Sequence, residues 1–128
     1  MLPLRLLVVA SLCLVSVEGQ SSYDDFQKAL RAERSDGDLE KAIEYYERVV
    51  TKADSRSLAA RAQLRIGMCY EKMGLKEAQE AYRKVIQAYP KQHQEVNIAR
   101  ERLDALAKDA EQNSYLSGCG VKSRGIRD

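Results

Sequence analysis

The fold is decided by a stretch of sequence that occurs twice, first as AIEYYERVVTKAD (Ala42–Asp54) and again as AQEAYRKVIQAYP (Ala78–Pro90). The copies lie 36 positions apart and share an alanine, a glutamate, a tyrosine and a valine at matching positions. A period of this length with helical spacing is typical of stacked helix pairs, because one pair cannot bury its apolar face alone. We therefore predict an all-α solenoid of about two helix pairs followed by a C-terminal capping helix.

Five helices are predicted from the spacing of apolar residues and the scarcity of helix breakers. Between residues 20 and 89 there is no proline, and there are only three glycines. The predicted helices span residues 23–35, 39–53, 57–73, 76–89 and 94–109. Gly37 and Gly74 are predicted to end helices in the left-handed conformation, and Asp38 is predicted to cap the second helix.

The N-terminal residues predict export from the cell. Residues 1–19 carry one basic side chain, an apolar run from Leu6 to Val17 and a glycine at the end. This is the pattern of a secretory signal peptide, and we expect cleavage after Gly19. Cys13 leaves a lipoprotein alternative open. No later apolar run is long enough for a membrane span.

The helical domain is then predicted to cover residues 20–112. Residues 113–128 mix glycine, serine and charge without a period, and we predict that they are disordered. Cys69 falls inside a predicted helix and is expected to be a small buried residue. A disulfide between Cys69 and Cys119 stays open as an alternative.

Composition and motifs argue against several classes of function. The 21 basic and 19 acidic residues nearly cancel, which disfavours nucleic acid or an anionic membrane as the main partner. The single histidine, His93, is predicted to be exposed, and a metal site needs several convergent ligands. Asp36, Asp38 and Glu40 lack the spacing of a calcium loop. We therefore expect no enzymatic activity, no metal and no cofactor.

The pattern resembles the tetratricopeptide repeat. The second unit matches the family's large, small, aromatic and turn positions with Ile66, Gly67, Tyr70, Gly74, Ala78, Tyr82, Val85 and Pro90. The first unit matches them with Phe26, Ala29, Gly37, Ala42, Tyr46 and Val49. It departs from the family at Leu30, where a small residue is usual, and at Glu33, where tyrosine is usual. The resemblance implies that Gly67 and Ala78 let two helices cross closely, with tyrosines filling the space beside them.

More narrowly, residues 23–108 resemble exported tetratricopeptide modules of bacterial envelopes. They are similar to the module that precedes a TolB-like β-propeller and to periplasmic repeats associated with the Tol system. This resemblance implies a non-enzymatic scaffold in the periplasm that binds other proteins.

The resemblance also implies where a partner would bind. Stacked units form a trough along their first helices, which receives an extended or helical segment. By position in the motif, the trough would be lined by Gln27, Arg31, Arg34, Arg61, Leu64, Arg65 and Met68. Its arginines suit an acidic, partly apolar segment, although they are equally well explained as ordinary solvated side chains. Two alternatives stay open, namely a self-associating structural module and an accessory domain of an envelope enzyme or propeller system.

Overall fold

The computed structural model of the chain describes residues 17–118. Most of the predicted signal peptide, and residues 119–128 of the predicted tail with Cys119, lie outside the described residues. The predicted five helices and all-α fold class are confirmed for the part described. The helices are α1 (Val17–Arg31, continued by a π-helical turn at Ala32–Asp36), α2 (Leu39–Lys52), α3 (Arg56–Lys72), α4 (Glu77–Ala88) and α5 (His93–Gly118).

The turns within both helix pairs form as predicted. Gly37 and Gly74 have φ angles of 67° and 70°, in the left-handed region that favours glycine. The Asp38 side chain accepts a hydrogen bond of 3.0 Å from the backbone N–H of Lys41, which caps α2. These short polar and glycine signals act locally, so they specify the connection without help from the rest of the fold.

The end of α1 differs from the prediction because its last turn is π-helical. The backbone N–H groups of Gly37 and Asp38 both donate to the carbonyl oxygen of Ala32, which closes a wider turn than an α-helix has. Such a turn accommodates one extra residue without ending the helix. It therefore changes the direction of the side chains in the last turn, Glu33 among them.

The helices pack in chain order. Each contacts the next, α3 lies between α2 and α4, and α5 also touches α3. Tyr46 and Tyr82 are fully buried and are the largest side chains in the core. The predicted motif residues that are buried are Phe26, Ala29, Ala42, Tyr46, Val49, Ile66, Gly67, Ala78, Tyr82 and Val85. Tyr70 is half-buried, and Pro90 is exposed just after α4 ends.

Gly67 allows α3 and α4 to cross closely. A Cβ atom on Gly67 would lie 2.5 Å from Cε1 and 2.7 Å from Cδ1 of Tyr82. The tyrosine ring therefore occupies the space that any larger residue would need. Cys69 is also fully buried, in the cluster that holds Tyr46, which confirms its predicted role in the core. Burial raises the pKa of the Cys69 thiol to about 11.

The predicted end of the last helix is wrong, because α5 continues from 109 to Gly118. Residues 113–118 are therefore helical and exposed rather than disordered. Ser114 and Ser117 donate from their hydroxyls to the carbonyl oxygens of Glu111 and Asn113, at 2.8 and 2.6 Å. None of the helices within the described range combines the length and the apolarity that crossing a bilayer requires.

The close crossing gives the first prediction. Gly67→Ala should lower the free energy of unfolding by about 1–3 kcal/mol, because the new methyl group must displace a buried ring. This loss is expected although alanine has the higher helix propensity. Urea unfolding followed by circular dichroism measures it.

The matched control for this variant is Gly118→Ala. A Cβ atom at Gly118 would meet no atom within 4 Å, so this change should not destabilise the protein. Equal stability of the Gly67→Ala variant and the parent would contradict the proposed packing of Tyr82 on Gly67.

Candidate functional site

The predicted trough residues lie on the first helices of both pairs, but they are not equally accessible. Gln27, Arg31 and Arg34 are exposed at the end of α1 and in its π-helical turn. Arg61 is exposed on α3, with its guanidinium carbon 5.3 Å from the ring centroid of Phe26. This cation–π contact holds the Arg61 side chain against α1 and leaves its donors at the surface.

Leu64 is buried, so the prediction that it lines the trough is wrong. Its exposed fraction is 6%, and it belongs to a core cluster with Tyr82, Val85, Val96 and Ala99. The reason is that α5 packs over this side of α3, which the motif position alone does not reveal. Met68, one turn further along α3, is only partly buried against the same cluster and keeps an accessible edge.

Arg65 is part of a polar network centred on Glu33. The Glu33 side chain is 1% exposed. Its Oε2 atom accepts a 2.8 Å hydrogen bond from the Tyr46 hydroxyl, and its Oε1 atom lies 2.6 Å from Lys72 Nζ and 3.4 Å from Arg65 Nη1. Burial alone would raise the pKa of Glu33, but the hydrogen bonds from Lys72 and Tyr46 and the charge of Arg65 hold that pKa below its usual value. The carboxylate therefore stays ionised inside the fold.

The second helix pair contains the same arrangement. The Tyr82 hydroxyl donates to Oε2 of Glu71 at 2.5 Å, and Arg102 Nη1 on α5 lies 3.3 Å from Oε1. In both pairs, a buried tyrosine of the second helix donates to a glutamate near the end of the first helix. Burial and the bonded glutamate each raise the pKa of both tyrosines, which keeps the phenols protonated as donors.

These two networks meet at a cleft on the side of the first helices, which we call the first-helix cleft. Its volume is about 310 Å³, and it is lined by Glu33, Arg65, Met68, Glu71, Lys72 and Arg102. Three cations face two carboxylates, and both carboxylates are already bonded within the protein. The side chains of Lys72 and Arg102 are 53% and 48% exposed. Their remaining N–H donors are available to an acidic group beside the apolar edge of Met68.

The sequence did not predict four members of this cleft, namely Glu33, Glu71, Lys72 and Arg102. Lys72 lies two turns after Arg65 on α3, so helical spacing alone places both on one face. Arg102 lies in the predicted capping helix, and Glu33 differs from the tyrosine that is usual at its motif position. Neither residue has a signal near it in sequence, because their partners are 31 and 39 residues away.

Comparison of the chain with known protein families agrees with this geometry. Two models of the tetratricopeptide repeat match the chain, one over residues 26–51 and the other over residues 61–91. Together the two matches cover 57 of the 128 residues. The fold of the chain is a short all-α solenoid like that of tetratricopeptide repeats, and within the described residues it ends in α5. Neither the curated proteins nor the solved structures contain a significant match to it.

Tetratricopeptide repeats generally mediate protein–protein interaction, and proteins of this family are generally non-enzymatic scaffolds. His93 is exposed at the start of α5, as the sequence predicts. Within residues 17–118, no group of three or more histidine, cysteine or acidic side chains is placed to hold a metal ion. The family match suggests that the partner is a protein.

The Glu33 network gives the second prediction. Glu33→Gln should lower the free energy of unfolding by about 1–3 kcal/mol at neutral pH, because the amide replaces a buried, charge-assisted acceptor. The pKa of Glu33 is lower in the folded protein than in the unfolded chain. Its contribution is therefore complete above the unfolded pKa of about 4.3 and is lost as the pH falls through the folded pKa. Urea unfolding at a series of pH values should show the difference between variant and parent shrinking in acid.

The control is Glu44→Gln, which removes an exposed carboxylate paired with Arg48. An exposed pair of this kind contributes little to stability because water screens it, so the effect of this change should be small at every pH. A pH-independent effect of Glu33→Gln would show that the charge of Glu33 does not contribute to stability.

Proposed function

We propose that this protein is a scaffold of the bacterial cell envelope that binds an acidic, partly apolar segment of a partner protein along its first helices. The observation that carries the proposal is the first-helix cleft, in which Arg65, Lys72 and Arg102 outnumber two internally bonded carboxylates. Arg61 extends the cationic surface along α3 toward the N-terminal end of that helix.

Two features of the cleft suit a peptide rather than a small metabolite. It is an open depression along α3, and by their position in the motif the exposed side chains of Gln27 and Arg31 on α1 continue the same face of the repeat. Arginine binds carboxylates through paired N–H donors, and Met68 offers an adaptable apolar contact between the charges. A segment with acidic residues on both sides of an apolar one matches this order.

The envelope location is supported by the predicted signal peptide at residues 1–19 and by the resemblance to exported tetratricopeptide modules. The nearly balanced charge of +2 also suits a protein whose main partner is another protein.

Continuation of the stack across subunits is disfavoured by the outer side of α5. That side carries Glu101, Asp104, Ala105, Lys108 and Asp109, which lie one or two turns apart and are exposed. A further helix packed there would bury four charges, which is costly without matched partners. This surface is typical of a capping helix.

The third prediction tests the binding face. In a pull-down from bacterial envelope extract, the double variant Arg31→Glu, Arg61→Glu should lose the partner that the processed parent chain retains. Both residues are exposed, and neither contacts Glu33, so the fold should survive the change. Unchanged circular dichroism verifies this.

The matched control is the double variant Lys41→Glu, Lys52→Glu, which makes the same change in net charge on α2. It should retain the partner. If both double variants capture the partner equally well, the first helices do not form the binding face.

The fourth prediction tests export. When the 128-residue chain is produced in a bacterium, mass spectrometry of the periplasmic fraction should find a protein that begins at Gln20. Replacing Gly19 by a bulky residue should leave the precursor uncleaved, because signal peptidase needs a small side chain there. Accumulation of the full-length chain in the cytoplasm would contradict the envelope role.

A further inference from the structure

A second cleft lies on the other side of the solenoid, between α2 and α4. Its volume is about 390 Å³, and α3 forms its base. We call it the α2–α4 cleft. Its apolar members are Val50, Ile66, Tyr70 and Ala81, and its polar members are Glu47, Thr51, Gln63, Glu77, Glu80 and Lys84. An apolar base with a charged rim favours a ligand that combines both characters.

The rim of the α2–α4 cleft is acidic. Glu47, Glu77 and Glu80 face one lysine, so the rim has a net charge of about −2. Among residues 21–118, no cation lies within 4.0 Å of the carboxylates of Glu47 or Glu77. Glu80 has only an exposed contact of 4.0 Å with Arg83. This contrasts with Glu33 and Glu71, which are both neutralised by cations within the protein.

A buried side chain in the same cleft also offers an acceptor. Gln63 is 7% exposed, and its amide nitrogen donates a 3.3 Å hydrogen bond to the carbonyl oxygen of Ala81. No hydrogen bond to its amide oxygen is present in the described part of the chain. Most of the polar groups that lack partners here are acceptors, with Lys84 the one cation of the rim, so a ligand that supplies N–H donors suits them.

We propose that the α2–α4 cleft binds the segment VKSRGIR (Val121–Arg127) of this same protein, which follows the described residues. The segment carries three cations and two aliphatic side chains in seven residues. In an extended strand, alternate side chains share a face, so Lys122, Arg124 and Ile126 point the same way. The two cations meet the glutamates of the rim, and the isoleucine covers the apolar base.

The length of the chain permits this contact. The last turns of α5, after Leu106, extend about 18 Å beyond the helices that it packs against. Residues 119–124 span up to about 21 Å when extended, which allows Arg124 to return toward the start of α4, where Glu77 lies.

The experiment uses the processed full chain and two charge variants observed by NMR. In the tail variant, Lys122→Glu, Arg124→Glu, the methyl signals of Val50 and Ile66 and the ring signals of Tyr70 should shift, while those of Val96 stay unchanged. In the cleft variant, Glu47→Lys, Glu77→Lys, the signals of residues 121–127 should move toward those of a free peptide of the same sequence. Unchanged cleft signals in the tail variant would overturn the proposal.

Combining the two variants provides the decisive arm. The chain that carries both charge reversals should recover the contact, because each new lysine again faces a glutamate. The control Glu40→Gln, Glu44→Gln removes two exposed carboxylates of α2 outside the cleft and should leave all these signals in place. Failure of the combined variant to restore the signals would refute the pairing of segment and cleft.

A titration with peptide 120–128 measures the same contact in another way. The peptide should bind the tail variant, and the change Glu47→Gln, Glu77→Gln should weaken that affinity roughly fivefold. A peptide that binds both forms equally would count against the rim glutamates. Loss of this contact should not affect partner capture by the first helices, so the two proposals fail independently.

Discussion

The rest of the structure depends on one buried tyrosine in each repeat. Tyr46 and Tyr82 fill the space between their helix pairs, and a buried phenol must also find a hydrogen-bond acceptor. Each finds a glutamate, Glu33 or Glu71, near the end of the first helix. A carboxylate that is removed from water needs cations nearby. Arg65, Lys72 and Arg102 supply them, and all three therefore lie on the same side of the molecule. The charge of the proposed binding face therefore follows from the packing of the core.

This arrangement separates the chemistry of the two sides of the solenoid. On the first-helix side the carboxylates are neutralised internally, so the exposed groups that remain are donors. On the α2–α4 side, Glu47 and Glu77 have no cation within 4.0 Å among residues 21–118, so unpaired acceptors outnumber the one rim lysine, Lys84. A nearly neutral protein thus presents one surface that favours acidic ligands and another that favours basic ligands. One ligand is not expected to satisfy both.

The features that the sequence predicts are those encoded locally. Helix periodicity, the left-handed glycines and the Asp38 cap each depend on a few neighbouring residues, and all three form as expected. The failures concern tertiary contacts. The motif position of Leu64 is the same whether or not α5 covers it. The residues near Glu33 in sequence do not indicate its partners Arg65 and Lys72, which lie 32 and 39 residues away. Residues 113–118 lack an apolar period but keep their helix.

The π-helical turn allows both helix pairs to form the same tyrosine–glutamate hydrogen bond. Tyr46 lies 13 residues after Glu33, whereas Tyr82 lies 11 residues after Glu71. The first pair has one residue more before its glycine and one more after it. The π-helical turn at 32–36 lies where the two spacings begin to differ, and Glu33 within it still bonds Tyr46. Two different backbone paths thus reach the same tyrosine–glutamate pair. The absence of the family's tyrosine at Glu33 is therefore compensated, because the carboxylate satisfies the buried phenol of the second helix and gathers the cations of the next repeat.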